Sequence, residues 1–85
     1  MKEINEIKAV LTEHKYCHSS ELLVQALASA CNRRYTVNLL TLSEVLDEYN
    51  QDLVKGLINM NYRFLPDLKA HEEALQWLKN EKFIK

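Results

Sequence analysis

The chain has 85 residues and a formal net charge of −1, with 47% hydrophobic and 27% charged residues. The near-neutral charge argues against nonspecific binding to nucleic acid, which normally requires an excess of lysine and arginine. The single glycine and single proline are too few for an all-β fold, whose tight turns need many such residues. The sequence therefore predicts one all-α domain, a compact bundle or orthogonal array of four to five short helices.

The chain also carries information about its cellular compartment. The segment MKEINEIK is charged and lacks an apolar core, so it does not resemble a signal peptide. Cys17 and Cys31 are too few for a disulfide framework and are expected to be reduced thiols. The most apolar run, Glu21–Cys31, is shorter than the roughly 20 residues that cross a membrane. We therefore expect a cytoplasmic protein that makes no membrane contact.

The first predicted helix covers Lys2–Tyr16. Ile4, Ile7, Leu11 and His14 recur at intervals of three and four residues, which places them on one face of a helix. Because His14 belongs to this apolar stripe, we expect it to be a half-buried structural residue.

The second predicted helix, Glu21–Cys31, is expected to lie at the centre of the fold. Apolar residues occupy most of its circumference, which is typical of a helix buried between several neighbours. Ser19 or Ser20 can cap its start by accepting a hydrogen bond from a free backbone N–H. The polar segment Asn32–Arg34 suits its other end, where cations lie near unpaired carbonyls.

The segment Thr36–Leu42 fits either a short strand or the start of a third helix. The apolar positions of a helix continue from it to Tyr49, and Thr41 and Glu44 have the spacing of a capping box. The third helix is therefore predicted to begin at Thr36 or at Thr41 and to end near Tyr49.

A fourth helix is predicted over Gln51–Tyr62, where the interior Gly56 indicates the close approach of a neighbouring helix. The residues Arg63–Pro66 are predicted to form a loop, because a proline disfavours helical backbone before it. Asp67 fits the N-cap of a fifth helix, Leu68–Lys82. Phe83 and Ile84, the two apolar residues after this helix, are expected to fold back onto the core.

His14, Cys17 and His18 are the strongest candidates for a metal site, and Cys31 or His71 could complete a tetrahedral zinc site. The sequence lacks the CxxC and HExxH spacings of established zinc modules, so a structural role is favoured and no cofactor is predicted. Catalysis by Cys17 with His18 as base is also disfavoured, because adjacent residues of a helix point in different directions. We therefore expect a protein that is not an enzyme.

Acidic side chains are concentrated around the third and fourth predicted helices. Glu44, Glu48 and Asp52 are spaced by four residues and are expected to line one helix face, with Asp47 beside them. A solvated face is the simpler interpretation. The alternative is a docking surface for a basic partner, or a mimic of the charge of nucleic acid.

Three further features are candidates for an interaction surface. Arg33, Arg34 and Tyr35 combine arginine with an aromatic residue, as binding hot spots and base-stacking surfaces do, and Tyr62–Phe64 repeats the combination. The favoured interpretation is simpler: a cation at a helix C-terminus followed by an aromatic residue that packs on the core. Trp77 lies near the C-terminal end of the sequence, where it could extend an interface.

The leading hypothesis is a non-enzymatic protein-interaction module, with a homodimer as one form of it. Small helical proteins without catalytic motifs commonly act as adaptors, inhibitors or accessory factors, and phages and mobile elements carry many of them. The first alternative is a DNA-binding regulator, because Ser43–Met60 has the two helical segments and short turn of a helix-turn-helix unit. Asp47 and Glu48 argue against it, since they would lie near phosphates. The second alternative is a small metal-binding protein.

Overall fold

A computed structural model of the chain describes residues 2–15, 17–63 and 68–84, with side chains described outside 60–63. Over these residues the chain forms five helices and no strand, which confirms the predicted all-α fold. The helices are α1 (Lys2–Glu13), α2 (His18–Cys31), α3 (Leu39–Val45), α4 (Glu48–Arg63) and α5 (Leu68–Asn80). The radius of gyration is 11.7 Å, close to the roughly 12 Å expected of a globular chain of this length.

Helix α2 lies at the centre of the fold, as its composition predicts. It packs against α1, α4 and α5, because an apolar surface around most of a helix can be buried only by several neighbours. Leu23 and Leu27 are fully buried. Leu22, Val24, Ala26 and Ala28 of α2 are also buried. Among the described residues outside α2, the buried apolar side chains are those of Ile4, Ile7, Leu11, Leu42, Leu46, Leu53, Leu57, Ala74 and Leu78, and all of these except Leu46 belong to the other helices.

Helix α1 is shorter than predicted and ends at Glu13. His14 lies beyond the helix, and its side chain is 59% exposed. The expected half-buried position of His14 is therefore wrong, although the apolar stripe before it is buried. The predicted end of this helix, Tyr16, lies outside the described residues.

Helix α2 begins earlier than predicted, at His18, and Cys17 occupies its N-cap position without a side-chain cap. The prediction that Ser19 or Ser20 caps this helix is wrong, because both serines lie inside it. The hydroxyl of Ser20 is buried and donates a hydrogen bond to the backbone carbonyl of His14. This bond ties the connection between α1 and α2 to the edge of the core.

Ser20→Ala should lower the free energy of unfolding by about 1–2 kcal/mol, because the carbonyl of His14 loses its hydroxyl donor at the edge of the core. Ser43→Ala is the matched control. The Ser43 hydroxyl also donates to a backbone carbonyl, that of Leu39 at 3.0 Å, but on an exposed helix surface, so its removal should change stability by less than about 0.5 kcal/mol. Urea denaturation followed by circular dichroism measures both, and equal effects would show that burial of the bond is unimportant.

Helix α3 begins at Leu39, because the side chain of Asn38 accepts a hydrogen bond from the backbone N–H of Thr41 at 3.0 Å. Both predicted starts, Thr36 and Thr41, are therefore wrong. The predicted capping box of Thr41 and Glu44 is also wrong, since Thr41 lies within the helix and Asn38 provides the cap. Residues 36–38 have no regular structure, so the strand alternative is excluded for them.

The predicted continuation of the third helix to Tyr49 is also wrong. The backbone of Leu46 is extended, and α4 begins two residues later, where Asp47 Oδ1 accepts a hydrogen bond from the backbone N–H of Asn50 at 2.8 Å. The side chain of Gln51 donates to the carbonyl of Leu46 at 2.8 Å and to that of Ser43 at 3.3 Å. The apolar pattern from Leu39 to Tyr49 is thus divided between two helices. The side chains of Asp47 and Gln51 satisfy backbone groups at the junction between them.

Helix α4 extends to Arg63, one residue into the predicted loop. The rest of that loop and the predicted cap Asp67 lie outside the described residues. Gly56 faces α1, and a Cβ atom at this position would lie 3.4 Å from Cγ of Glu3. Helices α1 and α4 pack against each other, but this distance is an ordinary van der Waals contact with a side chain. The structure therefore does not show the approach close enough to require glycine that Gly56 predicts.

Helix α5 ends at Asn80, two residues before its predicted end, and the chain then reverses direction. Lys82 has a left-handed backbone conformation with φ of 65°, and the N–H of Phe83 donates to the carbonyl of Leu78 at 2.9 Å. These are the features of a Schellman motif. The motif turns Phe83 and Ile84 onto the core, which confirms the predicted folding back.

Lys82→Gly should stabilise the protein by about 1 kcal/mol, because glycine adopts a positive φ without the steric cost that a Cβ atom imposes. This corresponds to a melting temperature roughly 4–8 °C higher for a domain of this size. Lys82→Ala is the control, because it removes the same charge but keeps the Cβ atom. A gain in thermal stability from alanine as large as that from glycine would assign the effect to charge.

Candidate functional site

The four acidic residues of the predicted band lie around the junction of α3 and α4 and are all exposed. Glu44 belongs to α3 and Glu48 and Asp52 belong to α4, so the expected single helix face is wrong because the chain breaks between them. Asp52 forms an ion pair with Lys55, with 3.6 Å between Oδ1 and Nζ. We call Glu44, Asp47, Glu48 and Asp52 the acidic junction.

Helices α3 and α4 also carry most of the exposed large apolar residues whose side chains are described. Among the residues with described side chains, the exposed large apolar residues are Leu39, Leu40, Val45, Tyr49, Ile58 and Leu68, all but the last in these two helices. Leu39 is 67% exposed and Ile58 is 61% exposed. Single exposed apolar side chains are ordinary, whereas a contiguous apolar patch is a typical sign of a surface that another molecule covers.

Leu39 and Ile58 line a continuous groove. Two depressions of about 330 and 180 Å³ share Leu39, Val54 and Ile58 as lining residues, so they join at these side chains. Leu42 and Leu57 contribute further apolar lining. We call these two adjoining depressions together the α3–α4 groove, although Ala26, Ser29 and Ala30 of α2 also line the larger one.

The two ends of the α3–α4 groove carry opposite charge. One end is lined by Leu46 and Gln51, beside the acidic junction. The other end is lined by Ala30, which also borders a further depression of about 380 Å³ that reaches Arg33. Arg33 and Arg34 follow the C-terminus of α2 and are exposed. The groove therefore runs from a cluster of carboxylates to a pair of guanidinium groups.

The aromatic candidates Tyr35 and Trp77 both pack against the body of the fold. Tyr35 is half-buried and packs against the core. Trp77 lies against Phe83, with 5.7 Å between ring centroids, and Lys8 Nζ lies 5.4 Å from the Trp77 ring centroid. Trp77 thus joins α1, α5 and the C-terminal turn, and its role in an interface stays a prediction. The side chains of Tyr62–Phe64 lie outside the described part of the chain.

The structure separates the predicted metal ligands. His14 lies in the connection after α1, while the imidazole of His18 lies 3.5 Å from the Glu21 carboxylate. Cys17 and Cys31 lie at opposite ends of α2, about 20 Å apart at 1.5 Å per residue. Across residues 2–15, 17–63 and 68–84, no three histidine, cysteine or acidic side chains are grouped as a metal ion requires.

The two thiols differ in their environment. Cys17 is exposed, whereas Cys31 is partly buried, and burial raises the pKa of the Cys31 thiol from 9.0 to about 11. Burial has this effect because it disfavours the charged thiolate. Cys31 therefore stays protonated at neutral pH, where the thiol form is a weak nucleophile and a weak metal ligand.

The helix-turn-helix alternative receives little support from the arrangement of α3 and α4. A reader helix contacts base edges with its N-terminal residues, but the N-terminal end of α4 carries Glu48 and Asp52. Its apolar residues Leu53 and Leu57 are buried in the core. Carboxylates at that end would repel DNA phosphates, so DNA binding stays an untested alternative.

No protein-family model, curated protein or solved structure matches this chain. None of the helices in the described residues is both long enough and apolar enough to cross a membrane.

The α3–α4 groove is the feature from which we infer function. Sequence patterns did not reveal it, because Leu39 and Ile58 have the spacing of core residues. One signal in the sequence does indicate the groove. The apolar residues of α3 lie on all sides of the helix, and so short a helix cannot bury all of them against the core.

Proposed function

We propose that the protein is a non-enzymatic protein-interaction module that receives an α-helix of another polypeptide chain in the α3–α4 groove. The observation that supports this proposal is the open, continuous apolar lining in which Leu39 and Ile58 face water. A groove between helices is a common receptor for the apolar face of a helix, whose anchor residues recur at intervals of three and four. A cytoplasmic location, as the sequence predicts, is part of the proposal.

The expected energetics fit reversible binding. Covering the exposed part of Leu39 or Ile58 would contribute about 1–2 kcal/mol per side chain. Leu40 of α3 and Tyr49 of α4 are also exposed and would add similar amounts where the partner reaches them. The loss of translational and rotational freedom on association costs about 4 kcal/mol or more. Several of these residues must therefore be covered together. The interaction therefore requires a partner that spans both α3 and α4.

Site-specific photocrosslinking tests this function in living cells. A benzophenone amino acid replaces Ile58, at the centre of the groove, and in a separate variant it replaces Glu73, which is exposed on α5. We expect irradiation to attach one defined polypeptide to the chain with the probe at position 58. The position-73 variant controls for random collisions.

A second control tests whether capture depends on the apolar groove. The benzophenone amino acid is placed at position 39, in place of Leu39, and Ile58→Glu is introduced into that same chain. Because Ile58 is mostly exposed, the substitution should leave the helix content unchanged while it places a charge in the apolar groove. We expect it to abolish the crosslinked product. Failure of position 58 to capture any chain, or identical products from positions 58 and 73, would contradict the proposed function.

A further inference from the structure

We propose that the helix received by the α3–α4 groove is α3 of a second copy of this chain, so that the protein forms a two-fold symmetric homodimer. The proposal rests on the proposed function and identifies the partner. A two-fold interface must be self-complementary, because the same surface of each copy faces its counterpart. Both the shape and the charge of this surface meet that requirement.

The shape is self-complementary because a ridge lies beside the groove. Leu39 lines the groove, whereas Leu40 points about 100° away around the same helix and is 68% exposed. Helix α3 is therefore a convex apolar element next to a concave one. In an antiparallel pair, α3 of each copy enters the groove of the other, and Leu40 of one copy approaches Ile58 of its partner.

The charges are self-complementary in the same antiparallel arrangement. The acidic junction lies at one end of the groove and Arg33 and Arg34 lie beyond the other end. Antiparallel pairing places the acidic junction of each copy opposite the arginine pair of its partner. Lys55 is the cation of the groove lining itself, and it is already paired with Asp52. A partner with a purely basic helix would satisfy only the acidic end and would leave the arginine end facing like charge.

Charge reversal combined with native mass spectrometry tests the homodimer. Wild-type protein at micromolar concentration should have twice the chain mass. The variant Arg33→Glu with Arg34→Glu places carboxylates opposite the acidic junction, and the variant Glu44→Lys with Glu48→Lys and Asp52→Lys places a net positive charge opposite the arginine pair while it keeps the Asp47 cap of α4. Each variant should bind itself at least tenfold more weakly than wild type, since like charges at an interface oppose association.

Mixing the two charge-reversed variants is the decisive step. In the antiparallel heterodimer the reversed acidic junction of one variant faces the reversed arginine pair of the other, and at the opposite end the two unaltered surfaces face each other. Opposite charges therefore meet at both ends. We expect a heterodimer whose mass is the sum of the two variants, formed at least tenfold more tightly than either variant binds itself. Circular dichroism of each variant verifies the fold, which exposed side chains should not disturb.

The remaining outcomes separate this inference from the proposed function. A strictly monomeric wild type, together with capture of a different protein from position 58, would overturn the homodimer and keep the proposed function. A dimer whose dissociation constant is unchanged by both charge reversals would overturn the antiparallel groove interface. A monomeric wild type with no capture from position 58 would overturn both proposals.

Discussion

Leu27→Ala should lower the free energy of unfolding by about 3–4 kcal/mol, the largest effect that we expect of any single substitution considered. Leu27 is fully buried in α2, which is surrounded by α1, α4 and α5. The surrounding helices can therefore close the resulting cavity only in part. Because a domain of 85 residues has a total stability of only about 4–13 kcal/mol, the melting temperature should fall by roughly 12 °C or more.

Leu40→Ala is the matched control for this experiment. It removes the same atoms from a side chain that is 68% exposed in α3, so it should change the free energy of unfolding by less than about 0.5 kcal/mol. Thermal denaturation followed by circular dichroism, at a concentration where the protein is monomeric, measures both variants. Similar melting temperatures for the two would contradict the central position of α2.

Cys17, whose side chain is exposed, should react with a disulfide reagent more than about tenfold faster than Cys31 at pH 8. Burial raises the pKa of the Cys31 thiol to about 11, which reduces its thiolate fraction at pH 8 by about a hundredfold relative to a thiol of pKa 9. The release of the reagent's coloured thiolate should therefore show one fast and one slow thiol. Between pH 8 and pH 10, the slow rate should rise about tenfold with each pH increment of one, because the thiolate fraction does.

Single variants assign the two phases to residues. Cys17→Ser should remove the fast phase and Cys31→Ser should remove the slow one. Addition of denaturant should make both thiols of the wild type react fast, since unfolding exposes Cys31. A fast reaction of Cys31 in the folded protein would show that its thiol is activated, and it would return thiol chemistry to consideration.

The helices that bury one continuous stripe could be predicted from sequence. In α1 and α5, apolar residues recur at intervals of three and four, and the buried residues Ile4, Ile7, Leu11, His71 and Leu78 follow this pattern. The apolar run in α2 also predicts its central position. In these elements local periodicity and tertiary packing agree, so the pattern alone is sufficient.

The boundary between α3 and α4 could not be predicted in the same way. The apolar spacing from Leu39 to Tyr49 fits one continuous helix, yet Leu46 leaves the helix and its side chain is buried in the core. The start of each helix is determined by a polar cap, Asn38 for α3 and Asp47 for α4. The pattern of apolar residues carries no information about either cap. The groove depends on this break, so it was missed for the same reason.

His14 illustrates a second limit of periodicity. Its spacing extends the stripe of α1, but the helix ends one residue earlier and the Ser20 hydroxyl binds the His14 carbonyl instead. The candidate metal ligands depended on a helix that continued through this segment. Once the helix ends at Glu13, the spacing of four between His14 and His18 no longer brings the two imidazoles to one face.

Trp77 gives the fold a natural optical reporter. It is the single tryptophan of the chain, and it lies between Phe83 of the C-terminal turn and Lys8 of the first helix. Its fluorescence therefore senses the place where the two ends of the described chain meet, whereas circular dichroism averages over all five helices. Coincident unfolding curves from the two signals would indicate that the terminal contacts and the central helix separate in one cooperative transition.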